Sequence, residues 1–156
     1  HGPSQIDIQK TDRGGQATLH SPGQLVIYPI VSLATLGLGV RDFVLTLLRT
    51  TQMSLHNLGI ETFEKNQSAL YTANGKIAFF GLKVSHNITS HGLAINVCND
   101  LSLFSMIRSC GIANESFDQT SNYCNATPRQ LFQIWAKEQT QNFSELEHLT
   151  IEAQEV

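Results

Sequence analysis

Hydrophobic residues follow a strand-like spacing in some segments of this chain and a helix-like spacing in others. Apolar and polar residues alternate over 5–11, which predicts a strand. Residues 25–30 form a continuous apolar run, typical of a buried strand. Beyond Gly39, apolar side chains recur at helical spacing as far as Gly59, a helix-stop signal. This part of the chain therefore predicts two strands and then a long amphipathic helix packed on a sheet.

A hairpin is predicted in the middle of the chain. Segments 69–73 and 76–85 flank the dipeptide Asn74-Gly75, which best accommodates the positive φ angles of a two-residue type I′ turn. A further strand is predicted over 91–98. These segments favour antiparallel pairing of consecutive strands.

Capping signals predict two more helices. Asp100 is placed to cap a short helix over 101–107. Farther on, Thr127 is an N-cap residue, Pro128 occupies the first helical position and Gln130 is the capping-box partner. The elements together predict an α+β fold, with helices packed on a mixed or antiparallel sheet.

Length and charge narrow the class of protein. The chain has 156 residues, 41% of them hydrophobic, so we expect one domain over 1–156. Its 10 Lys and Arg residues against 13 Asp and Glu residues give a net charge of -3, which offers no basic field for nucleic acid or anionic lipid. The chain shows no membrane-length apolar run and no secretion signal, so we expect a soluble intracellular protein.

Two side chains are candidates for nucleophilic chemistry. Cys110 lies in a Ser-Cys-Gly turn sequence that would expose its thiol, although a lone cysteine is more often a buried apolar residue. Lys76 follows the predicted turn and precedes an apolar strand, although a lone lysine is more often a solvated surface residue. The thiolate is the reactive form of cysteine, and a nearby ammonium stabilises it. The two residues together predict a thiol-plus-lysine site.

The remaining cysteines and histidines do not predict a metal site. Cys98 and Cys124 are interpreted as structural residues, since no Cys-x-x-Cys spacing occurs. His20 and His91 lack the short spacing of a ligand pair. We therefore expect no metal.

A glycine-rich stretch separates the first two predicted strands. It contains the turns RGGQ at 13–16 and SPGQ at 21–24, which could be ordinary turns. Neither a P-loop nor a dinucleotide fingerprint is present. Glycines here would let the backbone approach a thin ligand closely.

Three blocks in fixed order carry a resemblance to a known family: RGGQATLHSPGQ at 13–24, GKIAFFG at 75–81 leading into HGLAIN at 91–96, and SCG at 109–111. With both Lys76 and Cys110 in place, the chain resembles the lipoyl/octanoyl transferases. The resemblance implies a biotin/lipoate protein ligase-like catalytic domain. It also implies an acyltransferase that moves an octanoyl chain from acyl carrier protein to a lysine of lipoyl domains, in lipoate biosynthesis.

The resemblance also implies residue roles. Cys110 would carry the acyl group as a thioester with Lys76 as its partner, and Ser109 stands where the family has a proline. His20 would orient the substrate carbonyl, and Gly92 would be a wall whose enlargement to Val shortens the accepted chain or blocks binding. The residues expected to border the acyl chain are Arg13, Gly14, Gly15, Gln16, Ala17, Thr18, Leu19, His20, Phe79, Phe80, Gly81, Gly92, Leu93 and Ala94.

Partners and location follow from the same resemblance. The donor would be octanoyl acyl carrier protein. The acceptors would be the lipoyl domains of 2-oxoacid dehydrogenases and the glycine cleavage H protein. No ATP, metal or other cofactor is expected, because thioester exchange is nearly energy-neutral and amide formation is downhill. We expect a monomer that binds neither nucleic acid nor membrane, in the bacterial cytoplasm or, in a eukaryote, in an organellar matrix.

Two alternative functions remain open. One is a lipoate or biotin ligase that adenylates a free acid with ATP; the Cys110-Gly111 segment and the lack of a nucleotide loop argue against it. The other is a catalytically silent module that binds fatty acyl chains.

The start of the chain departs from the family. Octanoyltransferases carry a substantial segment before the RGGQ block, whereas this chain begins almost at that block. We therefore expect part of the domain before Gln5 to be truncated or missing, with residues 1–4 belonging to an earlier strand.

Overall fold

The computed structural model describes residues 7–15, 17–65, 68–107 and 115–142, and the backbone of 150–155. Six antiparallel strands form one sheet in the order β2-β3-β4-β5-β1-β6. The strands are β1 (Gln24–Ile30), β2 (Phe63–Lys65), β3 (Ala69–Tyr71), β4 (Lys76–Ser85), β5 (Ile88–Asn96) and β6 (Thr150–Glu155). The α-helices are α1 (Leu33–Leu36), α2 (Val40–His56) and α3 (Pro128–Asn142), and short 3-10 helices span Leu101–Met106 and Thr120–Asn122. The predicted α+β class is confirmed.

The predicted helix signals are confirmed by their hydrogen bonds. At the start of α3, the Gln130 N–H donates to Thr127 Oγ1 (3.2 Å), and the Thr127 N–H donates to Gln130 Oε1 (2.9 Å). Asp100 caps the first 3-10 helix by accepting from the Ser102 N–H at 3.0 Å. Beyond α2, Gly59 adopts a positive φ of 76°, as a helix-stop residue does.

The middle hairpin has the predicted strands but a different turn. Between β3 and β4 only Gly75 has a positive φ (156°), so Asn74-Gly75 is not a type I′ turn. Glycine is required there for another reason: a Cβ would lie 2.6 Å from the Ser116 carbonyl oxygen. The two-residue turn with positive φ at both positions connects β4 to β5 and consists of His86 (50°) and Asn87 (62°).

The strand predicted over 5–11 is wrong in its described part. Residues 7–11 have no regular secondary structure, and Ile8 is 91% exposed. No described strand pairs with this segment, so its apolar alternation buries nothing. Residues 1–6 lie outside the described part of the chain.

The two faces of the sheet have different roles. Leu25 and Ile27 of β1 join Leu93 and Ile95 of β5 in a core that contains buried side chains of α2 and α3. The core side chains from the helices are Phe43, Leu47, Leu48, Leu55, Leu131 and Trp135. Because successive strand residues point to opposite faces, the alternate positions of β1 and β5 lie on the face away from the helices. Among the described residues, none of the helices has the length and hydropathy to span a membrane.

Candidate functional site

A cavity of about 130 Å³ lies on this second face of the sheet. In the strand register, Gly81 of β4 opposes Gly92 of β5, and Ala94 opposes Phe79 on one side and Val26 on the other. Gly81 and Ala94 carry little or no side chain on this face, and the glycine-rich loop borders the space beside them. The cavity is lined by Arg13, Gly14, Gly15, Ala17, Thr18, His20, Val26, Tyr28, Ser68, Lys76, Phe79, Phe80, Gly81, His91, Gly92, Leu93 and Ala94.

This lining contains every predicted acyl-chain residue in the described ranges except Leu19. Leu19, which is 5% exposed, is not among the residues that line the cavity. Gln16 and Cys110 lie outside the described residues. The cavity is therefore built by the predicted segments, and the binding of an acyl chain to it stays a prediction.

Gly92 lines the cavity through its backbone, and it is not the expected wall. A Cβ there would lie 2.0 Å from the Ile27 carbonyl oxygen and 2.7 Å from Pro29 Cδ. A larger residue would therefore push β5 away from β1 without filling the cavity. Gly92→Val is therefore expected to disturb the pairing of β5 with β1, and its effect on the accepted chain stays a prediction.

A register shift in the sheet places Lys76. The pairing of β3 with β4 is interrupted between Leu70 and Tyr71, the kind of irregularity that redirects a side chain. Lys76 Nζ consequently lies 5.9 Å from the centre of the Phe79 ring and 6.0 Å from that of Tyr71. The Lys76 side chain is only 4% exposed, so it is no ordinary surface lysine.

A buried carboxylate pairs with Lys76. Glu115 Oε2 lies 3.2 Å from Lys76 Nζ, and the Glu115 side chain is 6% exposed. The Tyr71 hydroxyl donates to the other carboxylate oxygen, Oε1, at 2.5 Å. We call Lys76, Glu115 and Tyr71 the lysine cluster. It combines a cation, a carboxylate and a hydroxyl with little solvent to screen their interactions.

A second buried carboxylate, Asp118, anchors the segment that follows Glu115. It accepts hydrogen bonds from the Thr72 hydroxyl, from Tyr123 Oη at 2.5 Å, from Asn122 Nδ2 at 2.7 Å and from the Gln119 N–H at 2.9 Å. Burial raises the pKa of Asp118, but these donors outweigh that effect and lower it below its ordinary value of 3.8. Asp118 therefore fixes residues 118–123 to the β3–β4 turn.

A chain of polar contacts connects the cavity with the backbone of Lys76. His20 Nδ1 lies 3.0 Å from Gln24 Oε1, and Gln24 Nε2 donates to Asn96 Oδ1 at 2.9 Å. Asn96 Nδ2 donates in turn to the carbonyls of Asp118 (3.1 Å) and Lys76 (3.4 Å). Burial lowers the pKa of His20, and the Gln24 contact partly opposes this shift. The neutral imidazole is therefore favoured at the cavity.

Asp12 joins the loop to the strands at the cavity edge. It forms an ion pair with Lys83 and lies 3.0 Å from His91 Nε2. The Lys83 ammonium, with His91, lowers the pKa of Asp12 to about 2. His91 has a positive φ of 57°, and its ring meets Tyr28 edge-on at 6.0 Å. These contacts secure the loop at one side of the cavity.

The lipoyl protein ligase A/B catalytic domain model matches residues 3–139. An octanoyltransferase of Cellvibrio japonicus is 42% identical over 127 residues, which cover 81% of this chain and 59% of the relative. An octanoyltransferase of Pseudomonas fluorescens is 36% identical over 147 residues, or 94% of this chain and 67% of that protein. The chain belongs to the lipoyl protein ligase A/B catalytic domain family.

Solved structures of low sequence identity share the family fold. A lipoate-protein ligase A bound with ATP superposes with a TM-score of 0.66 at 14% identity, covering 85% of this chain and 57% of that one. A biotin protein ligase from Aquifex aeolicus gives 0.62 at 13% identity, covering 79% and 53%. These structures support the expected biotin/lipoate protein ligase-like architecture. The chain spans between half and about two thirds of the length of the curated octanoyltransferases that it matches.

Within the family domain, sequence reasoning missed several residues at the cavity. Val26 and Tyr28 lie in a continuous apolar run, and such a run does not show which residues face the core and which face the cavity. Glu115 contacts Lys76 only through the tertiary fold and has no sequence signal. In the described ranges, no three His, Cys, Asp or Glu side chains meet as a group that could hold a metal ion.

Proposed function

We propose that this chain is an octanoyltransferase domain that acts through Cys110 and Lys76. The observation that carries the proposal is Lys76, buried beside an apolar cavity in a fold whose sequence relatives are octanoyltransferases. A saturated acyl chain offers no hydrogen bonds, so its affinity must come from buried methylenes, about 0.8 kcal/mol each. A cavity rich in glycine, alanine and phenylalanine supplies such a surface.

The reaction has two displacements. The Cys110 thiolate attacks the octanoyl thioester of acyl carrier protein, a new carbon–sulfur bond forms, and the carrier sulfur leaves with a proton from the Lys76 ammonium. A lysine amine of a lipoyl domain then attacks the acyl-enzyme and displaces the Cys110 thiolate. The proton lost by that amine returns to Lys76.

Other parts of the site support this reaction. His20, favoured in its neutral form at the cavity, would orient the thioester carbonyl. Arg13 and the glycines that follow it border the chain-binding cavity. The domain works as a monomer on carrier and lipoyl-domain proteins, in the bacterial cytoplasm or an organellar matrix. No ATP is consumed, because the donor already carries an activated acyl group.

The test is intact mass spectrometry after incubation of the chain with octanoyl acyl carrier protein. We expect one octanoyl adduct, located on Cys110 by peptide mapping and absent from Cys110→Ser. Cys98 is exposed, so Cys98→Ser serves as the matched control and should keep the adduct. Failure to form the adduct, or loss of it only in Cys98→Ser, would refute the proposal.

A second arm addresses the ATP-dependent alternative. The chain is incubated with octanoic acid and ATP in place of the carrier, and acylation of a lipoyl domain is measured. We expect no transfer without the thioester donor. Transfer that requires ATP and persists in Cys110→Ser would assign the chain to the ligases.

A further inference from the structure

We propose that Glu115 is a positioning residue that holds the ammonium of Lys76 at the acyl-chain cavity, with the Tyr71 hydroxyl fixing Glu115 in turn. What the lysine does in transfer rests on the proposed function. The contacts that hold it are independent of that function.

The geometry of the lysine cluster fixes the position of the Glu115 carboxylate. Each oxygen of the Glu115 carboxylate has its own donor: Lys76 Nζ at 3.2 Å and Tyr71 Oη at 2.5 Å. A carboxylate bonded through both oxygens cannot rotate without breaking one of these bonds. Glu115 therefore offers Lys76 an acceptor at one defined place.

Both charged groups of the lysine cluster are buried. The Lys76 and Glu115 side chains are 4% and 6% exposed, so little solvent competes for either charge. Lysine has a flexible stem whose rotamer freedom is lost when the ammonium is held in one place. An ammonium beside the Phe79 ring thus needs a fixed partner to stay in one orientation, and the carboxylate supplies it.

Backbone hydrogen bonds bring Glu115 to Lys76. The Lys76 N–H donates to the Ser116 carbonyl at 2.9 Å, and the Asp118 N–H donates to the Lys76 carbonyl at 2.9 Å. Glu115 also lies five residues after Cys110 in the sequence. The same segment therefore joins the lysine to the stretch of chain that carries the nucleophile.

The experiment measures how the alkylation rate of Cys110 depends on pH, in a Cys98→Ser/Cys124→Ser background so that a single thiol reacts. In Glu115→Gln, we expect the alkylation profile to move to higher pH by about one unit or more, because the thiolate loses a fixed counter-ion. Acyl-enzyme formation should fall about tenfold at neutral pH, in proportion to the thiolate fraction.

The direction of the shift separates positioning from a direct charge effect. A carboxylate that acted on the thiol by itself would disfavour the thiolate, so its removal would move the profile to lower pH. A shift to lower pH, or no shift, would therefore overturn the proposal. In a Lys76→Ala background, Glu115→Gln should cause no additional shift, and an additive effect would equally count against it.

Two further variants keep the test decisive. Tyr71→Phe removes only the hydroxyl and should shift the profile in the same direction by less, which tests the cluster even if Glu115→Gln does not fold. Glu138→Gln is the control, since Glu138 accepts a hydrogen bond from Asn57 between the helices. Alkylation needs no acyl donor, so an upward shift without octanoyl transfer refutes only the proposed function. If Lys76→Ala moves the profile upward and Glu115→Gln does not, only the positioning role is refuted. No shift in either variant counts against both proposals.

Discussion

Removal of the Lys76 charge should destabilise the fold by an amount that depends on burial. In Lys76→Met the apolar stem is retained, but the Glu115 carboxylate is left 6% exposed without its cation. Breaking a buried ion pair from one side costs about 3 to 5 kcal/mol. Domains of this kind have unfolding free energies of about 5 to 15 kcal/mol. The variant should therefore lose a large share of its stability and still fold at low temperature.

The measurement is urea unfolding followed by the fluorescence of Trp135, the single tryptophan, which is fully buried. The matched control is Lys83→Met, because Lys83 also pairs with a carboxylate but the two side chains are 39% and 67% exposed. That variant should lose much less stability, because exposed ion pairs contribute little.

The double variant Lys76→Met/Glu115→Gln provides the decisive comparison. It should recover most of the stability lost in Lys76→Met, since no buried charge is then left unpaired. The reasoning is refuted if Lys76→Met loses no more than Lys83→Met, or if the double variant is no more stable than the single one.

Three other outcomes follow from the cavity and its supports. Ala94→Leu should shift the preference from octanoyl toward hexanoyl donors by about fourfold per excluded methylene, measured by competition between the two thioesters. A preference unchanged from that of the parent would mean that the acyl chain does not bind beside Ala94. Gly92→Val should lower the melting temperature or abolish soluble expression, because its Cβ would lie 2.0 Å from the Ile27 carbonyl oxygen, and a folded variant with parental stability would contradict this. In the parent, the pKa of Asp118 is lowered, so its carboxylate stabilises the fold at pH values above the ordinary pKa of 3.8, and this stabilisation is lost as the pH falls through the lowered pKa. Asp118→Asn should therefore have a lower free energy of unfolding at neutral pH and a smaller loss of stability in acid, measured by urea unfolding at several pH values.

Capping residues and hydrophobic spacing predicted the elements whose ends and faces depend on nearby residues. The capping box at Thr127 fixes the start of α3, and the apolar spacing beyond Gly39 fixes the buried face of α2. Alternation over 5–11 failed as a strand signal because a strand also needs a partner, and the described part of that segment has none. The edge strands β2 and β6 were not predicted from the sequence for the same reason, because each is defined by its pairing with one neighbouring strand.

The candidate site was predictable as far as its glycine-rich segments. Those segments supply the cavity lining, since glycine marks close backbone approach. His91 could not be placed from the strand pattern. His91 pairs with Leu82, whose side chain packs against the core, so the alternation along β5 would place His91 on the core face. Instead His91 has a positive φ, and it lines the cavity. Glu115 was beyond prediction, because only the tertiary fold brings it to Lys76.

The position of β1 between β5 and the edge strand β6 also bears on the order of folding. Ser85 pairs with Ile88 across a two-residue turn, whereas Val26 pairs with Ala94 and Gln154, both distant in sequence. Contacts between distant residues form slowly, since a long loop must close first. We expect the β4–β5 hairpin to form early. In a growing chain, the apolar β1 segment would stay unpaired until β5 and β6 have been synthesised. The cavity, which needs β1 and β5 together, would then be among the last features to appear during synthesis.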